Sequence, residues 1–497
     1  MPGESTQLGP FRGGLTNRIM DNALPEDEDV LVCENFIFDI YGNLVTRPAI
    51  ITETVTLDSS ELEVVLWETM PTAAGSADVT DILMVTSSTG TWISTGGAAF
   101  VKISNGYHPA ATVGRRGNEV VLWIAKSPDA TLGGYWSLGD TSITTLTNIP
   151  IAQAVIYYRN RVFFAGLQGG SEDWASSILA FSGTNPTVDA DFTFFVVSEN
   201  EPSPGFVTIA ADDGQTINDA ILYFDSILIF KDSRTYLYTN DGFVRRFQIQ
   251  PVSNTVGAKN RFCAVILNDV CYVLHERYVH RFTGQSFQPI SEKLTIKGSG
   301  AESLSTYGDT LIARRGSKCF VYNFYTEGWT EWISTRMFNY LVAKPSSFIT
   351  DNFRYVGGLD NGVGKLVSIE TEWNPTRTED YTARIFTKNY LFGAVDRYKR
   401  LFGWGAHVKH VGVLRGAVDI HGEERVNGAN PDSFSAPTSV VPSNYGQFFR
   451  FLKAYRFRQV AFGLELVTNG AVPSTVYTIV PKLRPAARNV QEVDTSV

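Results

Sequence analysis

A chain of 497 residues has length for two or three domains, or for one large all-β architecture with an appendage. Hydrophobic residues make up 43% and aromatic residues 12%, with 32 Phe, 21 Tyr and 43 Gly against five Met, a balance that favours sheets and turns over long helices. The formal net charge of −9 argues against a nucleic-acid clamp, whose phosphate-facing surface is basic, while leaving room for a smooth acidic wall past which DNA slides. No apolar run approaches the ~20 residues that a membrane-spanning helix needs, and Met1 to Ser5 lack the basic and apolar regions of a signal peptide.

Residues 1–54 read as an arm and a hairpin. Phe11-Arg12-Gly13-Gly14-Leu15 leads to Leu24-Pro25 and the acidic run Glu26-Asp27-Glu28-Asp29. Cys33 to Asp39 and Tyr41 to Pro48 then form a hairpin around Gly42-Asn43, its second strand stopped by proline. From Val64 to Trp136 short strands recur with Gly-, Ser- and Thr-rich connections, and Ile151 to Ala165 is a hairpin turning at Arg159-Asn160.

The stretch 217–290 is the most regular. Ile221 to Phe224, Ile227 to Phe230, Thr235 to Tyr238, Cys263 to Leu267, Val270 to Leu274 and Tyr278 to Phe282 are strand-length runs rich in β-branched and aromatic residues. Turn residues such as Asp225-Ser226 and Asn268-Asp269 separate them, so each strand pairs with the next as a meander. Tyr322 to Trp332 and Gly357-Gly358 resemble kelch spacing, while the GH and WD dipeptides of WD40 repeats are absent. Strands at this density over 55–372 suit about six or seven propeller blades, with uneven unit lengths leaving an open ring as an alternative. After Trp373 longer loops separate the strands, which reads as a β-sandwich over 373–485, and 486–497 is a polar tail. The fold class is therefore all-β: an irregular β-propeller with an N-terminal extension and a C-terminal β-sandwich.

No GxSxG, HExxH, CxxC or P-loop occurs, so no catalytic, cofactor-binding or metal-ligating residue is assigned and no cofactor is expected. His108, His275, His280, His407, His410 and His421 read as structural. Cys33, Cys263, Cys271 and Cys319 lack paired metal spacing; Cys263 and Cys271 lie on neighbouring strands, but in a reducing cytosol buried free thiols are favoured over a disulfide. Acidic residues collect at Glu26 to Asp29, Asp189 and Asp191, Glu199 and Glu201, and Asp212 and Asp213; basic ones gather late, from Arg384 to Arg400 and Arg450 to Arg458. Ordinary solvated charge accounts for such clusters; the sharper reading is two ends that meet different neighbours.

The opening words Gly13-Gly14-Leu15, Leu24-Pro25, Asn35-Phe36, Gly42-Asn43-Leu44 and Arg47-Pro48 resemble the start of short-tailed bacteriophage nozzle or hub proteins, in which such an opening precedes a β-propeller. The Ile/Leu-rich strand pair ending at Phe230, the Val252 to Gly257 segment, Tyr278 to Ser291, and Lys399-Arg400-Leu401 are similar to later parts of the same group. The resemblance implies a structural virion protein, assembled in the host bacterial cytoplasm as a homo-hexameric ring below the portal and its adaptor. Such a ring encloses the DNA ejection channel, lets double-stranded DNA pass without specific contacts, and offers docking surface to tail fibres or spikes. In that setting Glu26, Asp27, Glu28, Asp29, Glu199, Glu201, Asp212 and Asp213 are candidates to line the lumen, where negative charge repels phosphate. The alternative is a receptor- or glycan-binding, or glycan-cleaving, propeller of the phage tail.

Overall fold

The computed structural model describes residues 11–12, 14–15 and most of 29–485; the longer stretches outside it are 127–132, 169–175, 196–202, 241–246, 297–301, 344–353, 360–363, 388–398, 422–437 and 441–446. The described chain is almost entirely strand, with only short 3-10 turns between. It divides into a larger unit, 50–319 with 334–372, and a smaller one, 1–49 with 320–333 and 373–497.

The larger unit is a β-propeller. Four-stranded antiparallel meanders occupy 63–104, 111–145, 151–208, 217–253 and 264–289. A sixth opens with Glu302–Tyr307 and Thr310–Arg315, and a seventh is built from Phe338–Ala343, Arg354–Leu359 and Lys365–Glu370. The fourth strand of the seventh is Ile50–Thr56, which precedes the first blade in sequence and pairs antiparallel with Lys365–Glu370, Thr52 opposite Val367 and Ile50 opposite Ile369. Among the described residues the first strand of each blade neighbours the first strand of the next, and that of the seventh neighbours that of the first, so the ring of seven closes. The closing strand therefore comes from the segment that the sequence assigns to the N-terminal arm.

Why the blades form is legible in their strands. A middle strand such as Ser226–Lys231 is buried at nearly every position because each of its faces packs against a neighbouring blade. Its sequence is consequently a continuous apolar run rather than an alternation. An outer strand such as Phe247–Ser253 is exposed along most of its length. One core layer joins Ile156, Phe163 and Phe181 of the third blade to Ile227, Ile229 and Tyr238 of the fourth. Others join the second blade to the third through Trp123, Phe164 and Phe192, and the first to the second through Met84, Ile93 and Trp136. Each such side chain contributes about 1.5–3 kcal/mol on burial. Tight hairpins link first and second strands: Arg159 and Asn160 have φ of 49° and 60°, Asn268 and Asp269 of 49° and 63°, the left-handed pair that a two-residue turn between twisted strands requires.

The smaller unit is a β-sandwich. One sheet carries Asp29–Glu34, Tyr381–Thr387, Gln459–Thr468, Gly412–His421 and Thr438–Val440, with Gly14–Leu15 and Trp329–Trp332 beside Asp29–Glu34. The other runs Phe36–Phe38, Leu44–Thr46, Thr475–Pro485, Lys399–Lys409 and Gln447–Phe451. Trp404 of the second sheet and Phe462 of the first are both buried and meet at 5.4 Å between ring centroids. The N-terminal hairpin is thus part of the sandwich. No described helix is long and apolar enough to cross a membrane.

Candidate functional site

One polar constellation in the propeller joins blades that are not neighbours in the ring. Glu63 opens the first strand of the first blade, and Arg261 stands just before the first strand of the fifth. Arg261 Nε donates to Glu63 Oε1 at 3.1 Å, and Nη2 donates to the same oxygen. Blades one and five are not adjacent in a ring of seven, so this ion pair crosses the axis at one mouth of the ring. Tyr107, at the entrance to the second blade, donates its hydroxyl to Glu63 Oε2 at 2.5 Å. Phe262 lies under the Arg261 guanidinium at 4.2 Å and packs on Tyr340 of the seventh blade, ring centroids 4.7 Å apart. Asn339, beside Tyr340, accepts from Arg314 Nη1 at 2.5 Å and donates to Glu61.

Asp219, third residue of the fourth blade's first strand, completes the group. Its carboxyl is buried; Oδ1 accepts the Ala220 N–H at 2.8 Å, while Oδ2 has no hydrogen-bond partner. Burial drives its pKa well above the usual carboxylate range, the Ala220 N–H and the nearby Arg261 charge pulling only weakly the other way. Burial likewise lifts the Tyr340 phenol to about 12, with Asp219 adding to the rise.

Of the acids that stand out in the sequence, Asp212 and Asp213 are placed apart from this cluster. Asp212 and Asp213 share the 3-10 turn Ala211–Asp213 that leads into the fourth blade; Asp212 is exposed. Asp213 is tied down by Lys231 Nζ at 2.7 Å and by Arg234 Nη1 at 3.4 Å. Lys231 is itself buried and also reaches the Ala210 carbonyl and Ser177 Oγ, so this pair links the third and fourth blades. Asp29 begins a sandwich strand opposite Gly14, and nothing more is described of its side chain. Glu26, Asp27, Glu28, Glu199 and Glu201 lie outside the described residues. Of the late basic residues, Arg384 holds Glu465 at 3.0 Å, a carboxylate it shares with Arg415 at 2.8 Å.

Two of the described histidines are hydrogen-bonded through both ring nitrogens. His108 is buried between the Ala125 carbonyl and Ser104 Oγ, and His410 between Ser474 Oγ and the Val413 carbonyl. Burial lowers both, His410 to about 4. His275 and His280 face each other at 6.3 Å, and His280 also falls to about 4, through burial first and the neighbouring imidazole second. All four cysteines are buried free thiols; Cys271 stands opposite Ile266 in the strand register and Cys263 opposite Leu274.

No family model matches the chain, and no curated protein matches it. Among solved structures it is similar to PorZ, a surface component of the type-IX secretion system of Porphyromonas gingivalis, at 10% identity and a TM-score of 0.37, over 73% of this chain and 44% of that one. It is also similar to the extracellular domain of a one-component system from B. thetaiotaomicron, at 9% identity and 0.44, over 84% and 61%. A third is the CNH domain of AfRom2, at 9% identity and 0.39, over 66% of this chain and all of that one. The chain thus spans about half the length of the first two.

The opening words of the sequence have a structural meaning in the sandwich. Asn35 sits at φ 60°, and its side-chain oxygen accepts both Arg47 Nε at 3.0 Å and the Ile333 N–H at 2.8 Å. Arg47 is fully buried against Glu379, at 2.8 Å from Nη1 to Oε2, and its guanidinium lies 4.2 Å from the Tyr381 ring centroid. The amino-acid sequence alone does not point to the axial residues, because Glu63 and Arg261 are 198 positions apart. One signal is present: Asn218-Asp219 interrupts an otherwise apolar inner strand, where an unpaired acid is costly and needs a reason.

Proposed function

We propose that this chain is a structural subunit of a short-tailed bacteriophage tail, a nozzle or hub that assembles as a hexameric ring below the portal and adaptor. The ring forms part of the DNA ejection channel and presents docking surface to fibres or spikes. The observation that carries the reading is the Asn35–Arg47 knot: the words that resemble the nozzle opening are the residues that fix the arm into the sandwich. A propeller closed by its own early strand and pinned across its axis is a body suited to bearing pressure without moving parts. Because Glu63 and Arg261 meet on that axis, DNA in such an assembly runs between subunits rather than through any one propeller. Exposed acids such as Asp212 then repel phosphate at the channel wall.

Negative-stain imaging of the purified protein, alone and mixed with a portal–adaptor complex, tests this. Six-fold rings that stack on the adaptor are expected. A chain that stays monomeric in both preparations removes the reading. The second reading is a receptor- or glycan-binding, or glycan-cleaving, propeller of the phage tail. Release of reducing ends from host surface polysaccharide at enzyme-like rates would put a glycan-cleaving protein in place of a passive one.

A further inference from the structure

We propose that the turn face of blades four and five is one half of a contact between two copies of this chain, and that an acid-free sheet region of the sandwich is the other half. The hairpin turn between a blade's first and second strands opens with positive φ in five blades: Gly117 at 58°, Arg159 at 49°, Phe224 at 50°, Asn268 at 49° and Gly308 at 55°. Glycine and asparagine suit that conformation, and Arg159 is held in it by an ion pair with Asp225. Phe224 is the costliest choice, since the left-handed region strains such a side chain by about 1–2 kcal/mol, and its ring stays 67% exposed. Leu222 and Ile266, each two residues before the turn of its own blade, are 41% and 37% exposed on neighbouring first strands. The Tyr223 ring ties the patch together, 4.7 Å from Phe224 and 5.5 Å from Phe282 of the fifth blade. A strained, exposed aromatic beside exposed aliphatic side chains is unfavourable in an isolated chain and favourable under a partner.

Charge names the partner. The same turns carry exposed Asp269 and Asp309, with Asn268 Nδ2 donating to Asp309 Oδ1 at 3.4 Å, while the Asp225 charge is met by Arg159. The apolar patch therefore has an acidic border, and it fits a basic surface that includes aromatic groups. The chain itself contains one. In the sandwich, Lys399–Lys409, Gln447–Phe451, Tyr455–Phe457 and Thr475–Pro485 form adjoining strands with no Asp or Glu among them. Arg456, Arg400 and Arg484 stand directly opposite one another in the register of three of these strands. Like charges opposite one another in a sheet are destabilising, so an anionic neighbour stabilises the row. His407, exposed in the strand that carries Arg400, packs on Tyr477 with ring centroids 5.2 Å apart. Two different surfaces meet in this contact, so it is head-to-tail, and its repetition closes a ring or extends a filament. The inference rests on the ring reading above and names the surfaces that build the ring.

Sedimentation velocity of the full-length protein over a concentration series, with and without the portal–adaptor complex, reads the contact. Phe224→Asn suits the turn conformation, so its melting temperature should hold or rise while association weakens at least about tenfold. Arg400→Glu should weaken association by a similar factor from the other side, and Arg484→Glu takes its place if that variant does not fold. The mixture decides. Phe224→Asn retains an intact sandwich sheet and Arg400→Glu an intact turn face, so together they form a dimer and nothing larger, although neither associates alone. A parent protein that stays monomeric in both settings overturns this interface and the ring reading together. Rings that form equally well from either variant, or a mixture that stays monomeric, overturn this interface and leave the ring reading in place.

Discussion

Arg47 is the residue whose removal has the most calculable effect. It is fully buried, and its guanidinium makes five hydrogen bonds: two to the Glu379 carboxylate, at 2.8 and 3.3 Å, and one each to Asn35 Oδ1, the Pro48 carbonyl and the Ile333 carbonyl, at 3.0, 3.0 and 3.2 Å. The Tyr381 hydroxyl donates to the Arg47 carbonyl from the ring that stacks on the guanidinium. Arg47→Met keeps much of the volume but takes from Glu379, only 6% exposed, the guanidinium that balances its charge. Breaking one side of a buried pair costs about 3–5 kcal/mol, and the orphaned carbonyls add to it. Glu379→Leu alone is expected to cost as much, since it strands the guanidinium. The double variant Arg47→Met/Glu379→Leu strands neither charge, so it falls well short of the sum, with a coupling of about 2 kcal/mol or more. Urea unfolding followed by tryptophan fluorescence reads all three, Trp332 lying 5.9 Å from the guanidinium. Additive single and double variants, or an Arg47→Met loss under about 1 kcal/mol, would show that the knot contributes little to folding.

Other outcomes follow from the same bonds. Asp219 has a folded pKa above its unfolded one, so its stabilising contribution is complete in acid and is lost as pH rises through the folded value. Asp219→Asn should remove that slope, which begins above the ordinary carboxylate value of about 4 and is at most about 1.4 kcal/mol per pH unit, in urea titrations from about pH 4 upward. The histidines act in the opposite sense. His280 and His410 are depressed to about 4, so their contribution is present above pH 6.5 and is lost as pH falls from there towards 4; His410→Asn, which keeps polar contacts but cannot titrate, should blunt the acid limb of a melting-temperature profile. Cys33, Cys263, Cys271 and Cys319 should resist a thiol reagent in the native protein and react together on unfolding, because burial raises the pKa of Cys33, Cys263 and Cys271 and all four are enclosed; a fast-reacting thiol in native protein contradicts this. A proline at Thr52, which cannot donate to the ladder, should weaken the pairing that closes the ring and lower the melting temperature; an unchanged melting temperature would mean that closure is not limiting.

Closure of the ring explains why a strand so early in the chain belongs with the last blade. A ring whose seven sheets were each made from consecutive residues would leave its first and last blades joined only by side-chain packing. Pairing Ile50–Thr56 with Lys365–Glu370 replaces that seam with a backbone ladder between segments some 300 positions apart, so opening the ring requires breaking hydrogen bonds as well as separating apolar faces. The cross-axis pair of Glu63 and Arg261 adds a second restraint between distant blades. Both are long-range contacts that form only after the blades they join.

That dependence on distance also separates what the sequence tells from what it conceals. Strand runs such as Ile227 to Phe230 and turns such as Asn268-Asp269 are legible because their causes are local: burial on both faces demands an unbroken apolar run, and a two-residue hairpin demands residues that tolerate positive φ. The role of Asn35 and Arg47 is visible only as resemblance, because what gives them meaning is Glu379, more than 300 positions on. Single acids carry least information of all. Asp213 and Asp219 are six residues apart, yet Lys231 helps hold the pKa of one below the usual carboxylate range while burial drives that of the other above it, and only the partners brought in by the fold distinguish them.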